Sequence, residues 1–214
     1  MDGFRLEWEE QEERRKWKKQ KELITRRYDH LAIGTRFKGC TFDNYYPADE
    51  AAAKVKKICQ RYAETFGDRR KSGDSLILTG SPGTGKNHLS AAICKAVINA
   101  NMTALHMTAL KLVREIKETW RKGSERSEKE MIDFFLAPDL LAIDEIGAQF
   151  GSQAEQVLLM EVINSRYADL RPTILLSNLP VAELENQLGA QVVDRFYEGR
   201  SSVLVMEWPS YRRR

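Results

Sequence analysis

Gly80-Ser81-Pro82-Gly83-Thr84-Gly85-Lys86-Asn87 follows directly on the run Ser75-Leu76-Ile77-Leu78-Thr79 and leads straight into His88-Leu89-Ser90-Ala91-Ala92-Ile93-Cys94. The octet fits G-x-x-x-x-G-K, placed after an apolar strand and before a helix, which is the context that pattern needs to hold phosphate. Glycines let the backbone turn its N–H groups inward around phosphate oxygens, and the helix N-terminus adds positive dipole at the same point. Lys86 supplies a full charge for the β- and γ-phosphates. Gly80, Pro82, Gly83, Thr84, Gly85, Lys86, Asn87 and His88 are therefore the candidate nucleotide-binding residues. The position after the lysine is ordinarily a Ser or Thr whose hydroxyl binds Mg²⁺. Here it is Asn87, whose amide oxygen is a hard neutral ligand able to take that place directly or through a water.

Outward from this loop, short apolar runs alternate with helical spacing. Val55, Ile58, Cys59, Tyr62 and Phe66 recur at helical intervals, and Asp68 to Asp74 reads as a polar turn. After the loop come a helix over 86–100, a strand at 103–107, and a helix over 109–121 with Leu110, Val113, Ile116 and Trp120 on one face. A further helix at 126–136, a strand beginning at Leu140, a helix over 153–169, and strands at Thr173–Ser177 and Ser202–Glu207 complete the series. The alternation predicts an α/β fold, a central five-stranded parallel sheet covered by helices on both faces.

The second acidic signal closes the third apolar run. Asp144-Glu145 follows Leu140-Leu141-Ala142-Ile143, and a carboxylate at the C-terminal end of a buried strand faces the crevice where open α/β sheets bind ligands. Asp144 is the candidate to hold Mg²⁺ with Asn87, and Glu145 to orient and deprotonate the attacking water. Asn178 ends the fourth strand at the same end of the sheet, where an amide can hold that water; before Leu179-Pro180 it is also an ordinary turn residue. Phosphoryl transfer needs charge neutralisation in the transition state, often from an arginine of a neighbouring molecule. Arg166, Arg171, Arg195 and Arg200 are candidates, and spacing does not choose among them.

Composition narrows the class. The chain has 214 residues, 42% hydrophobic and 30% charged, enough for one domain with a substantial core. No apolar run approaches a membrane span, and the N-terminus has no apolar leader segment, so a cytoplasmic protein is expected. Three cysteines at irregular spacing read as small apolar packers. The net charge of +3 is uneven: residues 1–28 hold 9 basic and 7 acidic groups, and Arg212, Arg213 and Arg214 close the chain. The middle is slightly acidic, so charge alone does not make it a strong non-specific nucleic-acid binder. Residues 1–28, with Trp8 and Trp17, read as a charged helical arm needing a partner. Residues 29–50 read as an aromatic-anchored strap, and 51–214 as the catalytic domain.

At these residues the sequence resembles the AAA+ P-loop ATPases, and within them the DnaC-like bacterial helicase loaders of the initiator/loader clade. The resemblance rests on Gly80–His88 with its Lys-Asn-His, on Leu89–Cys94, on Leu141–Gly147, on Val192-Val193-Asp194-Arg195, on Trp208–Arg212, and on the lead-in Phe37–Tyr45. It implies ATP/ADP and Mg²⁺ as cofactors, with Asn178 as sensor 1, Arg195 as the finger of a neighbouring subunit, and Arg212 as sensor 2. It also implies that residues 109–136 hold a helix pair lining a single-stranded DNA path. The implied partners are a DnaB-like replicative helicase, single-stranded DNA and further copies of the chain. DnaC-like loaders carry a longer helicase-binding region than the 28 residues ahead of this lead-in. Two other readings use the same core: a nucleotide-gated adaptor with little hydrolysis, motivated by Asn87, and an IstB-like transposition ATPase.

Overall fold

The computed structural model describes residues 15, 22, 35–147 and 152–213. Five strands form one wholly parallel sheet: β1 (Leu76–Gly80), β2 (Ala104–Thr108), β3 (Leu140–Ile146), β4 (Thr173–Ser177) and β5 (Ser202–Met206), in the order β2-β3-β4-β1-β5. Strands buried on both faces read as continuous apolar runs, as β1 and β4 do throughout, whereas the edge strand β5 leaves Val205 exposed. Ile77, Leu105, Leu141, Ile143 and Leu175 point into one core, while Leu76, Leu78, Ala142, Ile174 and Leu176 point into the other.

The second of these cores is roofed by α1 (Glu50–Glu64) and α3 (Lys86–Asn99). The first is roofed by α4 (Ala109–Glu118), α5 (Glu128–Leu136) and α6 (Gln153–Ala168). Local signals start these helices where the chain needs them. Asp49 caps α1 by accepting the Ala52 N–H, and Ser127 with Glu130 forms a reciprocal capping box on α5. Two short helices, α7 (Val181–Leu188) and α8 (Ala190–Asp194), follow β4 and precede a single 3-10 turn, Arg195–Tyr197. The chain leaves β1 toward the β2 edge and leaves β4 toward the β5 edge. The loops after these neighbouring strands therefore part, and open a crevice at the C-terminal end of the sheet.

Several expectations are corrected. Residues 68–74 are not a turn throughout: α2 spans Phe66–Ser72 and ends on Gly73, which adopts φ 75°. The buried stripe of α4 is Ala109, Leu112, Val113 and Ile116. Leu110 is only partly buried, and Trp120 lies beyond the helix end and is exposed, its indole N–H donating to Glu128. The charged arm expected over 1–28 lies outside the described residues except for Arg15 and Glu22, both helical. Cys40, Cys59 and Cys94 are buried with free thiols. Among the described residues no helix is long and apolar enough to cross a membrane.

Candidate active site

The loop between β1 and α3 forms one wall of a cleft of about 440 Å³, a size suited to a small-molecule cofactor. Gly83 and Gly85 adopt φ of 83° and 98°, a region a side-chain-bearing residue enters only at a cost. Space forbids a side chain as well: a Cβ on Gly83 would stand 1.9 Å from Ser210 Oγ, and one on Gly85 would stand 2.5 Å from the Tyr45 ring. Lys86 is buried and its Nζ donates to the carbonyls of Gly80 (2.6 Å) and Ser81 (2.8 Å), so its ammonium is held in the loop's own curl. Burial pushes its pKa down to about 8; Asp144 opposes that shift and Arg212 adds to it. An anion entering the curl meets the N-terminus of α3 and this poorly solvated charge together.

Across the cleft, β3 carries Asp144 and Glu145 through an irregularity in its pairing with β4. Glu145 takes φ 59° and is exposed, and its N–H donates to Asp144 Oδ1 at 2.7 Å. A bulge with a left-handed non-glycine residue re-aims a side chain at some energetic cost, and such strain gathers at working sites. Asn178 also lines the cleft. Beside it, Ser177 Oγ donates to the Ile146 carbonyl at 2.7 Å and accepts the Leu179 N–H, which fixes the end of β4 to the end of β3.

The residues present fit Mg²⁺. Asn87 Oδ1 is buried and has no hydrogen-bond partner, an orphan that a bound cation or its water would satisfy. Asp144 lines the same cleft. Among the described residues no cluster of three or more His, Cys, Asp or Glu could enclose a metal. Asn87 and Asp144 would supply one or two protein oxygens to a cation whose other ligands are nucleotide phosphates and water. Ser90 Oγ, one turn along α3, and Nε2 of His106 on β2 are also buried without partners. Burial pushes His106 down to about 4, against the pull of Asp144, so the ring is neutral at ordinary pH.

The other walls come from the two ends of the chain, where the sequence reading assigned no site residue except Arg212. Tyr45 Oη and Trp208 Nε1 both donate to the Thr84 carbonyl, at 3.1 and 2.9 Å, and Tyr211 N–H donates to the Gly83 carbonyl. Strap and C-terminal segment thus clamp the phosphate loop from both sides. Arg36, Phe37, Asn44 and Tyr46 line the cleft from the strap, and Arg212 from the C-terminal side. His88 lines the cleft too, yet its Nε2 lies 2.8 Å from the Thr41 carbonyl and its ring meets Tyr45 edge-on at 5.4 Å. It anchors the strap. Only the aromatic richness of residues 37–46 signalled this arrangement.

A family described as IstB-like ATP binding protein matches residues 15–214. The replicative helicase loader DnaC of Buchnera aphidicola subsp. Schizaphis graminum is 38% identical over 176 residues, 82% of this chain and 70% of that one. DnaC of Escherichia coli K12 is 34% identical over 191 residues, 89% and 76% of the two chains. The chain belongs to the DnaC-like family of AAA+ ATPases. A crystal structure of the DnaC helicase loader superposes with a TM-score of 0.71 at 24% identity, covering 81% of this chain and 99% of that one, and so shares the fold.

In this DnaC-like ATPase the four candidate arginines separate cleanly. Arg166 is fully buried and donates to the carbonyls of Phe135, Leu136, Pro138 and Pro172 and to Thr173 Oγ1. It ties α5 and α6 to the start of β4 and reaches no ligand. Arg171 donates to the Ala137 carbonyl, and Arg200 pairs with Asp74 at 3.1 Å. Arg195 is half-buried, with Nη1 donating to Asn164 Oδ1 at 2.6 Å. It borders a small hollow with Gly73, Ser75 and Thr173, at the starts of β1 and β4. That is the end of the sheet opposite the phosphate loop, a strand length of roughly 17 Å away. Arg195 therefore stands apart from the cleft of its own subunit.

Proposed function

We propose that the chain is an ATP-dependent replication protein that binds a replicative DNA helicase and loads it onto single-stranded DNA, with ATP bound and hydrolysed at junctions between copies of the chain. The family match over nearly the whole described domain, with relatives named replicative helicase loader, carries the helicase-loading part. The separation of Arg195 from its own cleft supports hydrolysis at a junction. Lys86 and the loop amides hold the triphosphate, and Asn87 and Asp144 would hold Mg²⁺, which would supply charge neutralisation to the phosphates. Glu145 and Asn178 place the water, Arg212 senses the γ-phosphate, and Arg195 of an adjoining copy completes the site. Turnover is slow in the isolated subunit because one charge is missing. ATP then acts as a switch: a γ-phosphate bridges two copies and ADP does not.

Residues 51–214 form the ATPase domain in this reading, 29–50 the strap that helps close the cleft, and 1–28 the helicase-docking arm. The helix pair within 109–136 lines the DNA path. The orphaned Asn87 oxygen suits Mg²⁺-nucleotide binding in an ATPase and in a non-hydrolysing adaptor alike, so ATP turnover of the parent against Glu145→Gln separates those two, and the DnaC relatives favour the replication partner over a transposase. The test is capture of a DnaB-like helicase by the full chain and by a variant lacking residues 1–28. Retention by the first and loss by the second is expected; no retention by the full chain contradicts the loader reading.

A further inference from the structure

Arg195 is held in an unusual way for an arginine at this end of the sheet. Its guanidinium carbon lies 4.4 Å from the centroid of the Tyr167 ring, and its Nη1 donates to Asn164 Oδ1. Asn164 and Tyr167 stand three residues apart on α6, so they share one face of the helix. The ring hydroxyl in turn donates to Glu198 Oε2 at 2.7 Å. Arg195 and Glu198 bracket the 3-10 turn, with the Glu198 N–H donating to the Arg195 carbonyl. The carboxylate three residues further on is therefore engaged by a phenol, and Arg195 rests on two neutral groups.

That arrangement suits a guanidinium that must be handed to a phosphate on another molecule. Pairing with a carboxylate would have to be broken before the arginine reached its target, and it would cancel the charge the target needs. A ring face and an amide hold the side chain in place without neutralising it. Glu198, three residues away and bonded to the same tyrosine that carries the guanidinium, is a group placed to form the unwanted pair.

We propose that Asn164, Tyr167 and Glu198 are positioning residues for Arg195: the ring and the amide present the guanidinium, and the Tyr167 hydroxyl keeps Glu198 from capturing it. This rests on the reading of Arg195 as a finger acting on a neighbouring copy. The test compares steady-state ATP turnover of the full chain, at concentrations where copies associate, for Arg195→Ala, Tyr167→Phe, and Tyr167→Phe combined with Glu198→Gln. Tyr167 and Glu198 are exposed, and melting temperatures check that the variants fold as the parent does. Tyr167→Phe keeps the ring but frees Glu198. It should lower kcat about fivefold, the scale of one exposed ion pair, with ATP affinity unchanged because the cleft lies at the other end. Adding Glu198→Gln should restore kcat, a rescue that a merely structural tyrosine would not give. If Arg195→Ala retains full turnover, the finger reading fails and the proposal with it. If Arg195→Ala is slow while Tyr167→Phe matches the parent, or if the double variant stays slow, the finger stands and the positioning role is wrong.

Discussion

The two ends of the sheet treat their polar groups in opposite ways. Where the strands begin, buried charge is answered within the protein. Asp74 meets Arg200 and Ser72, Asp139 accepts from Thr103 and Arg70, and Arg166 makes five hydrogen bonds. Where the strands end, Asn87 Oδ1 and Ser90 Oγ have no partner, Lys86 curls back on its own loop, and Glu145 takes a left-handed backbone. An unsatisfied buried polar atom costs stability, so the phosphate end is the one that awaits something from outside. The beginning of the sheet is built for stability, with Arg195 as the exception, resting on a ring and an amide.

Substitutions at the two ends should therefore fail in different ways. Lys86→Ala should abolish measurable ATP binding by calorimetry and leave the unfolding midpoint nearly unchanged, because the ammonium is poorly solvated in the free protein; wild-type affinity in that variant would break the contrast. Arg166→Leu should do the reverse. It strands several carbonyls and should cost about 3 kcal/mol or more in urea unfolding, while the remaining folded protein binds ATP normally. Asn87→Ala should weaken Mg²⁺-dependent ATP binding about tenfold, with little effect on binding measured without Mg²⁺, and Asn87→Ser should recover most of the loss.

A comparable effect is expected in pH. Lys86 titrates near pH 8 when free, and bound phosphates favour its charged form. ATP affinity should hold steady below pH 8 and weaken as pH rises through that value, by about tenfold at pH 9. Binding there should take up a proton, visible as a dependence of calorimetric heat on the buffer's ionisation enthalpy.

Much of this contrast is legible in the sequence, and for a physical reason. A five-residue apolar run followed by glycines and a lysine constrains the backbone locally, so β1, the phosphate loop and α3 follow from neighbours in the chain. Asp144 is legible likewise, as a charge at the end of an apolar run. The clamp on Thr84 is not, because Tyr45 and Trp208 reach one carbonyl across 39 and 124 residues of chain. The helix at Phe66–Ser72 was hidden because it buries only Phe66 and has no repeating apolar face. Trp120 misleads in the opposite sense: it continues the spacing of α4 past the point where the helix stops. Choosing among the arginines required knowing which of them the fold already uses.

In the proposed assembly one subunit holds the nucleotide and another supplies Arg195. Mixing Arg195→Ala with Glu145→Gln tests it directly. Each variant alone should turn over ATP about 10³-fold more slowly than the parent while still binding it. Mixed, they create junctions where an intact cleft from the first meets an intact arginine from the second, and turnover should reappear in proportion to those junctions. A mixture as inactive as its components, or an Arg195→Ala protein that hydrolyses ATP normally by itself, would contradict the account.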